Sequence, residues 1–133
     1  MLSRFENRVR HADLFRTADA LADTAILHHR RRLRGKARRI TIDMDPADDP
    51  THGQQELAFY NGHYGNWCYL PMVTNVTFGD ESEQYLVAAV LRPGNAHASK
   101  GAIGMLRRLV GKLRQAFPKA RRPAQNRLPY PPE

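Results

Sequence analysis

Several residue patterns are scarce or missing in this chain of 133 residues. Cys68 is the single cysteine, so no internal disulfide can form, and the usage suits a reducing compartment such as the cytoplasm, where we expect the protein. No apolar run approaches the roughly 18 residues of a spanning helix. The first residues also lack the apolar stretch of a signal peptide, so no membrane partner is expected. The sequence contains no glycine-rich phosphate loop and no Cys/His cluster with zinc spacing.

Acidic residues are few compared with basic ones. The chain has 13 Asp and Glu against 21 Lys and Arg, which gives a formal net charge of +8. A basic chain of this size most often binds nucleic acid; anionic membranes and ribosomal surfaces are the alternative partners. The length and the hydrophobic content of 41% allow one domain with a buried core.

The acids that are present concentrate at the end of one predicted strand. Polar and apolar residues alternate from Ile40 to Asp45, which is the period-two pattern of a strand. Because Pro46 cannot extend a central ladder, the strand should stop there. Asp43 and Asp45 would then lie side by side at its tip.

Two further carboxylates, Asp48 and Asp49, follow in a predicted turn closed by Pro50 and Gly53. Four acids this close repel one another unless something positive lies among them. A divalent cation with oxygen ligands is the physical candidate, and Mg²⁺ (or Mn²⁺) suits one or two carboxylates together with a substrate phosphate. The alternative is an acidic surface turn that caps a helix or faces the basic segments.

Two basic runs supply 14 of the 21 cations. The first lies at the end of a helix predicted from about His11 to Leu33, and the second lies on a helix predicted from Asn95, as its N-cap, to Phe117. We interpret the runs as contacts to nucleic-acid phosphates; solvated helix faces are the alternative. The candidate contacts are Arg30, Arg31, Arg32, Arg34, Lys36, Arg38, Arg39, Arg107, Arg108, Lys112 and Arg114.

The remaining patterns predict two more strands and a tail. Trp67 to Phe78 is a strand with an irregularity at Pro71, and Tyr85 to Leu91 is apolar on both faces and so should be covered on both. Short links imply an antiparallel meander with the first strand. The order predicts a basic helical segment (1–38), a partial α/β domain (39–122) and a disordered proline-rich tail (123–133).

Four segments resemble a known protein family, in order and spread through the chain. The sequence is similar to the DDE-domain group 1 transposases of bacterial insertion sequences from roughly Leu2 to Arg121. The segments that carry the resemblance are Ile42–Gln55, Phe59–Tyr64, Trp67–Pro71 and Val90–Asn95. The resemblance implies the opening half of an RNase H-like fold, namely a helix, a three-stranded antiparallel meander and a helix.

The resemblance also implies a chemistry and a catalytic residue. The family's enzymes use divalent metals, usually Mg²⁺, for cleavage and strand transfer of transposon-end DNA, with two Asp and one Glu as ligands. The first catalytic Asp of the family is followed by a small residue and then Thr, and it maps to Asp45. Pro46 and Ala47 stand at those two positions in this sequence, so Asp43 remains the alternative.

The sequence departs from the family after Arg121, where the strand and motif that carry the second Asp are expected. The proline-rich tail follows instead, and no Asp occurs after Asp80. We therefore expect an N-terminal fragment of a transposase that is inactive alone. The alternatives are a small DNA-binding protein that competes for transposon ends or interferes with a full-length transposase, and an unrelated basic RNA- or ribosome-associated module.

Overall fold

The computed structural model describes residues 11–97, 99 and 101–121, which form two helices and six strands. Helix α1 spans His11–Arg32, and helix α2 spans Ala102–Ala116. The strands are β1 (Ile40–Pro46), β2 (Asp49–Pro50), β3 (Phe59–Asn61), β4 (Asn66–Tyr69), β5 (Met72–Phe78) and β6 (Tyr85–Val90). No helix within these ranges is both long enough and apolar enough to cross a membrane.

The larger sheet has the strand order β1-β5-β6, and both pairs are antiparallel. The β1–β5 ladder is regular from Ile40 opposite Phe78 to Pro46 opposite Met72. This sheet with a helix before it and a helix after it is the opening half of an RNase H-like fold. The predicted α/β class and the antiparallel meander are therefore confirmed.

A second, smaller sheet with the order β2-β4-β3 was not predicted. The predicted strand from Trp67 to Phe78 is divided at Leu70–Pro71 into β4 and β5, because a proline has no N–H for the ladder. The placement of Asp49 and Pro50 in a turn was wrong, since they form β2 opposite β4.

The two sheets share one long bent hairpin. The amide of Ala47 donates to the carbonyl of Pro71 at 3.0 Å, which continues the β1–β5 register across the bend. The same register then places Asp49 opposite Tyr69. The end of β1 is therefore held at a bend between two sheets rather than in a free loop.

One face of the larger sheet is buried against the helices. Along β1 and β5, buried and half-buried residues alternate up to Met44 and Phe78 respectively. The buried side chains of Ile42, Val76 and Leu113 belong to one hydrophobic cluster, to which α1 contributes Ile26. Apolar burial of this kind is the main stabilising term.

The opposite face of the sheet is not covered by α1 or α2. Leu86 on β6 is 45% exposed, so the expectation that this strand is covered on both faces is wrong for the described residues. A register shift at Thr74/Asn75 allows the consecutive residues Val87 and Ala88 both to be buried. The apolar run in β6 is therefore explained in part by this bulge, which buries two consecutive residues, and in part by the side of the strand that faces the core.

The two helix predictions had different outcomes. The first helix ends at Arg32 near its predicted end, and Gly35 just beyond it has a φ of 67°, which favours glycine. The second helix begins at Ala102 after Gly101, so the N-cap at Asn95 was wrong. Before this helix, buried Arg92 donates from Nε to the carbonyl of Leu70 at 2.9 Å and from Nη1 to the carbonyl of His97 at 3.1 Å. The predicted tail, 123–133, lies outside the described residues.

Candidate functional site

Asp43 and Asp45 lie at the end of β1 on the sheet face that the helices leave open. Asp43 is opposite Asn75 and is half-buried, whereas Asp45 is opposite Val73 and is exposed. The Asp43 Oδ2 atom accepts a hydrogen bond from Gln84 Nε2 at 3.3 Å. The two carboxylates are next to each other on one face because side chains two residues apart in a strand point the same way.

Asp48 and Asp49 belong to different surroundings. Asp48 Oδ2 accepts from the Asn66 side-chain amide at 3.1 Å, and Asp49 is part of β2 in the smaller sheet. Burial, and then the charges of these two acids, raise the pKa of Cys68. The thiol is fully buried, which agrees with a packed core cysteine. The four acids are therefore two separate pairs.

The donor set suits part of a metal site. Within the described ranges, no group of three or more His, Cys, Asp or Glu is placed to hold a metal ion. Two adjacent carboxylates, Asp43 and Asp45, match the partial protein ligation of Mg²⁺, which keeps several waters and takes further oxygens from substrate phosphate. The residues present thus fit a shared ion and do not form a closed protein cage.

The first basic run contains both exposed cations and a cation with structural partners. Arg30, Arg31 and Arg34 are exposed, and their side chains form no hydrogen bond or ion pair in the part of the chain described. Arg32 instead forms two hydrogen bonds with Glu81, at 2.8 and 2.9 Å, which raise the pKa of its guanidinium. Its guanidinium also lies 5.3 Å from the ring centre of Tyr85.

Three more candidate contacts are also engaged within the protein. Arg39 pairs with Asp80. Lys112 Nζ donates to Asp23 at 2.5 Å and to Asp19 at 3.1 Å, which raises the pKa of the lysine and ties α2 to α1. The Arg108 guanidinium lies 4.3 Å from the ring centre of Phe15. These cations already serve the fold, so they are less available to a ligand.

Lys36 and Arg38 lie in a basic groove of about 560 Å³ that also includes Lys119 and Arg121. The amide of Arg121 donates to the carbonyl of Arg38 at 2.7 Å, and this hydrogen bond brings the ends of the two basic runs together. Sequence reasoning did not single out Lys119 and Arg121. The sequence feature that could have identified them is their place in the second basic run. Only the fold shows that they lie beside the first basic run.

The groove and the carboxylates lie at opposite ends of β1. Arg39 precedes the strand and Asp45 is close to its other end, so the two regions are roughly 20 Å apart at the ~3.3 Å rise of a strand. The last two candidate contacts, Arg107 and Arg114, are exposed on α2. The arrangement separates the basic groove from the two carboxylates at the end of β1.

The structure is an α/β domain whose larger sheet carries two carboxylates at the end of its first strand. Residues 1–122 match the family described as Transposase DDE domain group 1, so the chain belongs to that family. No curated protein and no solved structure matches the chain. Transposases of this family act on DNA and generally use divalent metal ions.

Proposed function

We propose that this chain takes part in DNA transposition, with Asp45 as the first metal-binding carboxylate and Asp43 as its neighbour. The observation that carries the proposal is the side-by-side position of these acids at the end of β1, on the open face of an RNase H-like sheet. Family membership supports a transposase-type function for such a domain.

The two acids would hold a divalent cation, Mg²⁺ or Mn²⁺, between the protein and a DNA phosphate. An ion held there would supply one half of two-metal chemistry, in which one ion activates the attacking oxygen and the other stabilises the leaving oxygen of a phosphodiester. The carboxylate of Asp43 is engaged by the hydrogen bond from Gln84, whereas Asp45 is exposed. Asp45 is therefore the stronger candidate for direct ligation.

The exposed cations would bind the DNA backbone of a transposon end. Arg30, Arg31, Arg34, Arg107 and Arg114 are free of the intramolecular pairs found at Arg32 and Lys112 within the described residues. Phosphate contacts fix the position of a protein on DNA without reading sequence. We therefore propose sequence-independent binding that depends strongly on salt.

The second candidate function is DNA binding without catalysis, in which the chain competes for transposon ends or interferes with a full-length transposase. The observation that favours it is the pair of carboxylates at the end of β1, since DDE chemistry needs three and no group of three or more His, Cys, Asp or Glu among the described residues is placed to hold a metal ion. Both candidates require DNA binding, and only the first requires a cation at Asp45.

Salt titration of duplex binding tests the shared requirement. With about four to six phosphates neutralised, the slope of log affinity against log salt should be about −4 to −5. Replacing Arg30, Arg31 and Arg34 by Gln should make the slope less negative by up to about 3, equally for unrelated duplexes. Lys112→Gln is the matched control, because its charge is engaged by Asp19 and Asp23. An affinity insensitive to salt would remove both candidate functions.

A further inference from the structure

Two large aromatic side chains lie next to each other on the outer face of the smaller sheet. Tyr60 and Trp67 are directly opposite in the β3–β4 ladder, with ring centres 6.3 Å apart and planes at 66°. Tyr60 is 57% exposed and Trp67 is 59% exposed. We call these two residues the aromatic pair.

Folding alone does not account for the aromatic pair. Alternation along the strands puts their neighbours Phe59 and Cys68 on the other face, and Cys68 is fully buried there. A position on the exposed face is ordinarily filled by a polar residue. Adjacent exposed aromatics, rather than scattered ones, mark a surface for binding.

A hollow of about 520 Å³ lies directly beside the aromatic pair. Its lining is uncharged and consists of Trp67 with Thr51, Gly53, Gln54, Gln55 and Ala58. The side-chain amides of Gln54 and Gln55 each offer both donors and acceptors. An aromatic face next to amide groups suits a flat, polar-edged ring system better than an aliphatic or charged group.

The hollow is connected to the acidic end of β1 through the bent hairpin. The amide of Thr51 donates to the carbonyl of Trp67 at 2.9 Å, in the same register that pairs Asp45 with Val73. Thr51 is six residues beyond Asp45, so at most about 20 Å of extended chain separates them. A DNA strand that passes Asp45 can therefore reach the aromatic pair.

We propose that the aromatic pair is a stacking platform for an unpaired base of DNA, and that the amides of Gln54 and Gln55 contact the edge of that base. This inference rests on the proposed function, because it places the DNA strand at the end of β1. Every base has a face that can stack, so the platform tolerates any sequence. The cations hold the backbone, while the platform distinguishes an unstacked strand from a regular duplex.

Trp67 is the single tryptophan of the chain, so its fluorescence reports on the platform directly. At low salt, a single-stranded oligothymidine should quench the emission, whereas an oligomer of abasic sugar-phosphates of equal length should bind without quenching. Tyr60→Ala should weaken binding of the oligothymidine by roughly 5- to 150-fold, the loss of one stacked base, and leave duplex affinity unchanged. Trp67→Phe should retain most of the affinity, because it keeps an aromatic face.

Ile103→Ala is the matched control, because Ile103 is 70% exposed and lies on α2 rather than on the smaller sheet. It should leave both single-strand and duplex binding unchanged. Salt-dependent duplex binding without quenching by oligothymidine would overturn the platform and leave the proposed function standing. Equal quenching by the abasic oligomer would overturn stacking. A change in oligomeric state in Tyr60→Ala would instead assign the surface to a protein partner, and loss of all DNA binding in the parent chain would overturn both proposals.

Discussion

Asp45 occupies the last position of β1 before Pro46, and its carboxylate is exposed on the open face of the sheet. We expect weak Mn²⁺ binding there, because one or two carboxylates without substrate phosphate leave the ion mostly hydrated. In an NMR titration, signals near Asp43 and Asp45 should broaden before all others. Asp45→Asn should remove that effect.

Asp80→Asn is the control for this titration, since Asp80 is an exposed acid that pairs with Arg39 at the opposite end of β1. It should leave the broadening unchanged. Earlier broadening at Asp48 and Asp49 would move the metal site to the smaller sheet and contradict the assignment.

His29 is a residue whose protonation should affect stability. It is buried against Phe78 and Tyr85, and burial lowers its pKa below the usual 6.5, assisted by the charges of Arg32 and His28 and opposed by that of Glu81. The unfolded chain then binds the proton more readily than the folded chain. The contribution of neutral His29 to the free energy of unfolding should therefore be complete above pH 6.5. It should be lost progressively as the pH decreases from there toward the lowered pKa of the folded state.

Melting temperatures measured between pH 5 and pH 8 check this expectation. The decrease on acidification should be smaller in His29→Gln than in the parent chain. His52→Gln is the matched control, because His52 is exposed and follows β2 rather than lying on α1 beside His29. An unchanged pH dependence in His29→Gln would show that another group is responsible.

Single residues also show how far sequence reasoning reached. Alternation correctly placed Ile42 and Met44 in the core and Asp43 and Asp45 on the other face, because a strand has only two sides. It could not show that Arg32 reaches Glu81, since the two are far apart in sequence and meet only in the fold. Counting cations therefore overstated how many are available to DNA.

At the level of elements, β1 pairs with β5 along one edge and has little pairing along the other. The carbonyl of Arg39 accepts from the amide of Gly79, and the amide of Ala47 donates to the carbonyl of Pro71. The backbone N–H and C=O groups of the odd-numbered residues between them therefore face β5. The even-numbered residues Ile42 and Met44 then point their amides to the outer edge. In the described residues, the outer edge has one bridge, between Arg39 and Arg121.

Hydrogen exchange along β1 should therefore alternate from residue to residue. The amides of Thr41, Asp43 and Asp45 should exchange slowly, and those of Ile42 and Met44 should exchange fast, although the latter two side chains are buried. NMR-detected exchange of the dilute protein provides the measurement. Uniform protection along β1 would mean that a further strand covers the outer edge.

Two glycines should respond in opposite ways to the same substitution. A Cβ at Gly94 would lie 2.0 Å from the carbonyl oxygen of Cys68, so Gly94→Ala should lower the free energy of unfolding by about 1–3 kcal/mol through overpacking. A Cβ at Gly111 in α2 would meet nothing within 4 Å, and Gly111→Ala should raise that free energy by up to about 1 kcal/mol.

Chemical denaturation measures both changes. Stabilisation by Gly94→Ala would show that the loop after β6 does not approach the smaller sheet as closely as described. Destabilisation by Gly111→Ala would show that the exposed side of α2 is covered.

The prediction of elements succeeded where the pattern was local. The periodicity of α1 and β1 was enough to locate both, because each has a regular face toward one core. The irregularity at Pro71 was expected, but the membership of β4 in a second sheet and the late start of α2 were missed because both depend on distant partners: β4 pairs with β2 and β3, and buried Arg92 contacts Leu70 and His97 before α2. The smaller sheet, with its aromatic pair, was invisible for the same reason.

For the whole molecule, the open edge of β1 and the open face of the sheet should favour self-association. Unpaired strand edges attract other strands. We expect the 133-residue chain to show a broad, weakly cooperative melt and sedimentation that depends on concentration, and to leave supercoiled plasmid intact in Mg²⁺ or Mn²⁺. Protection of the Ile42 and Met44 amides should increase with concentration if the edge is the contact.

A sharp two-state melt of a monomer would contradict the association expected here. Reproducible nicking that Asp45→Asn abolishes, with Asp80→Asn as the unaffected control, would instead show that the chain assembles a working site. The two outcomes are independent, because the first concerns the edge of β1 and the second its carboxylates.

The long hairpin also sets a delay during synthesis on the ribosome. β1 ends at Pro46 and its partner β5 ends at Phe78, so at roughly 5–20 residues per second the first strand waits about 2–6 s for its ladder. Its apolar residues have no sheet to join during that time. The seven cations between His28 and Arg39 leave the ribosome just before it, and charges that flank an apolar strand suppress its aggregation. We therefore expect the basic run to reduce aggregation of the nascent strand before any DNA is bound.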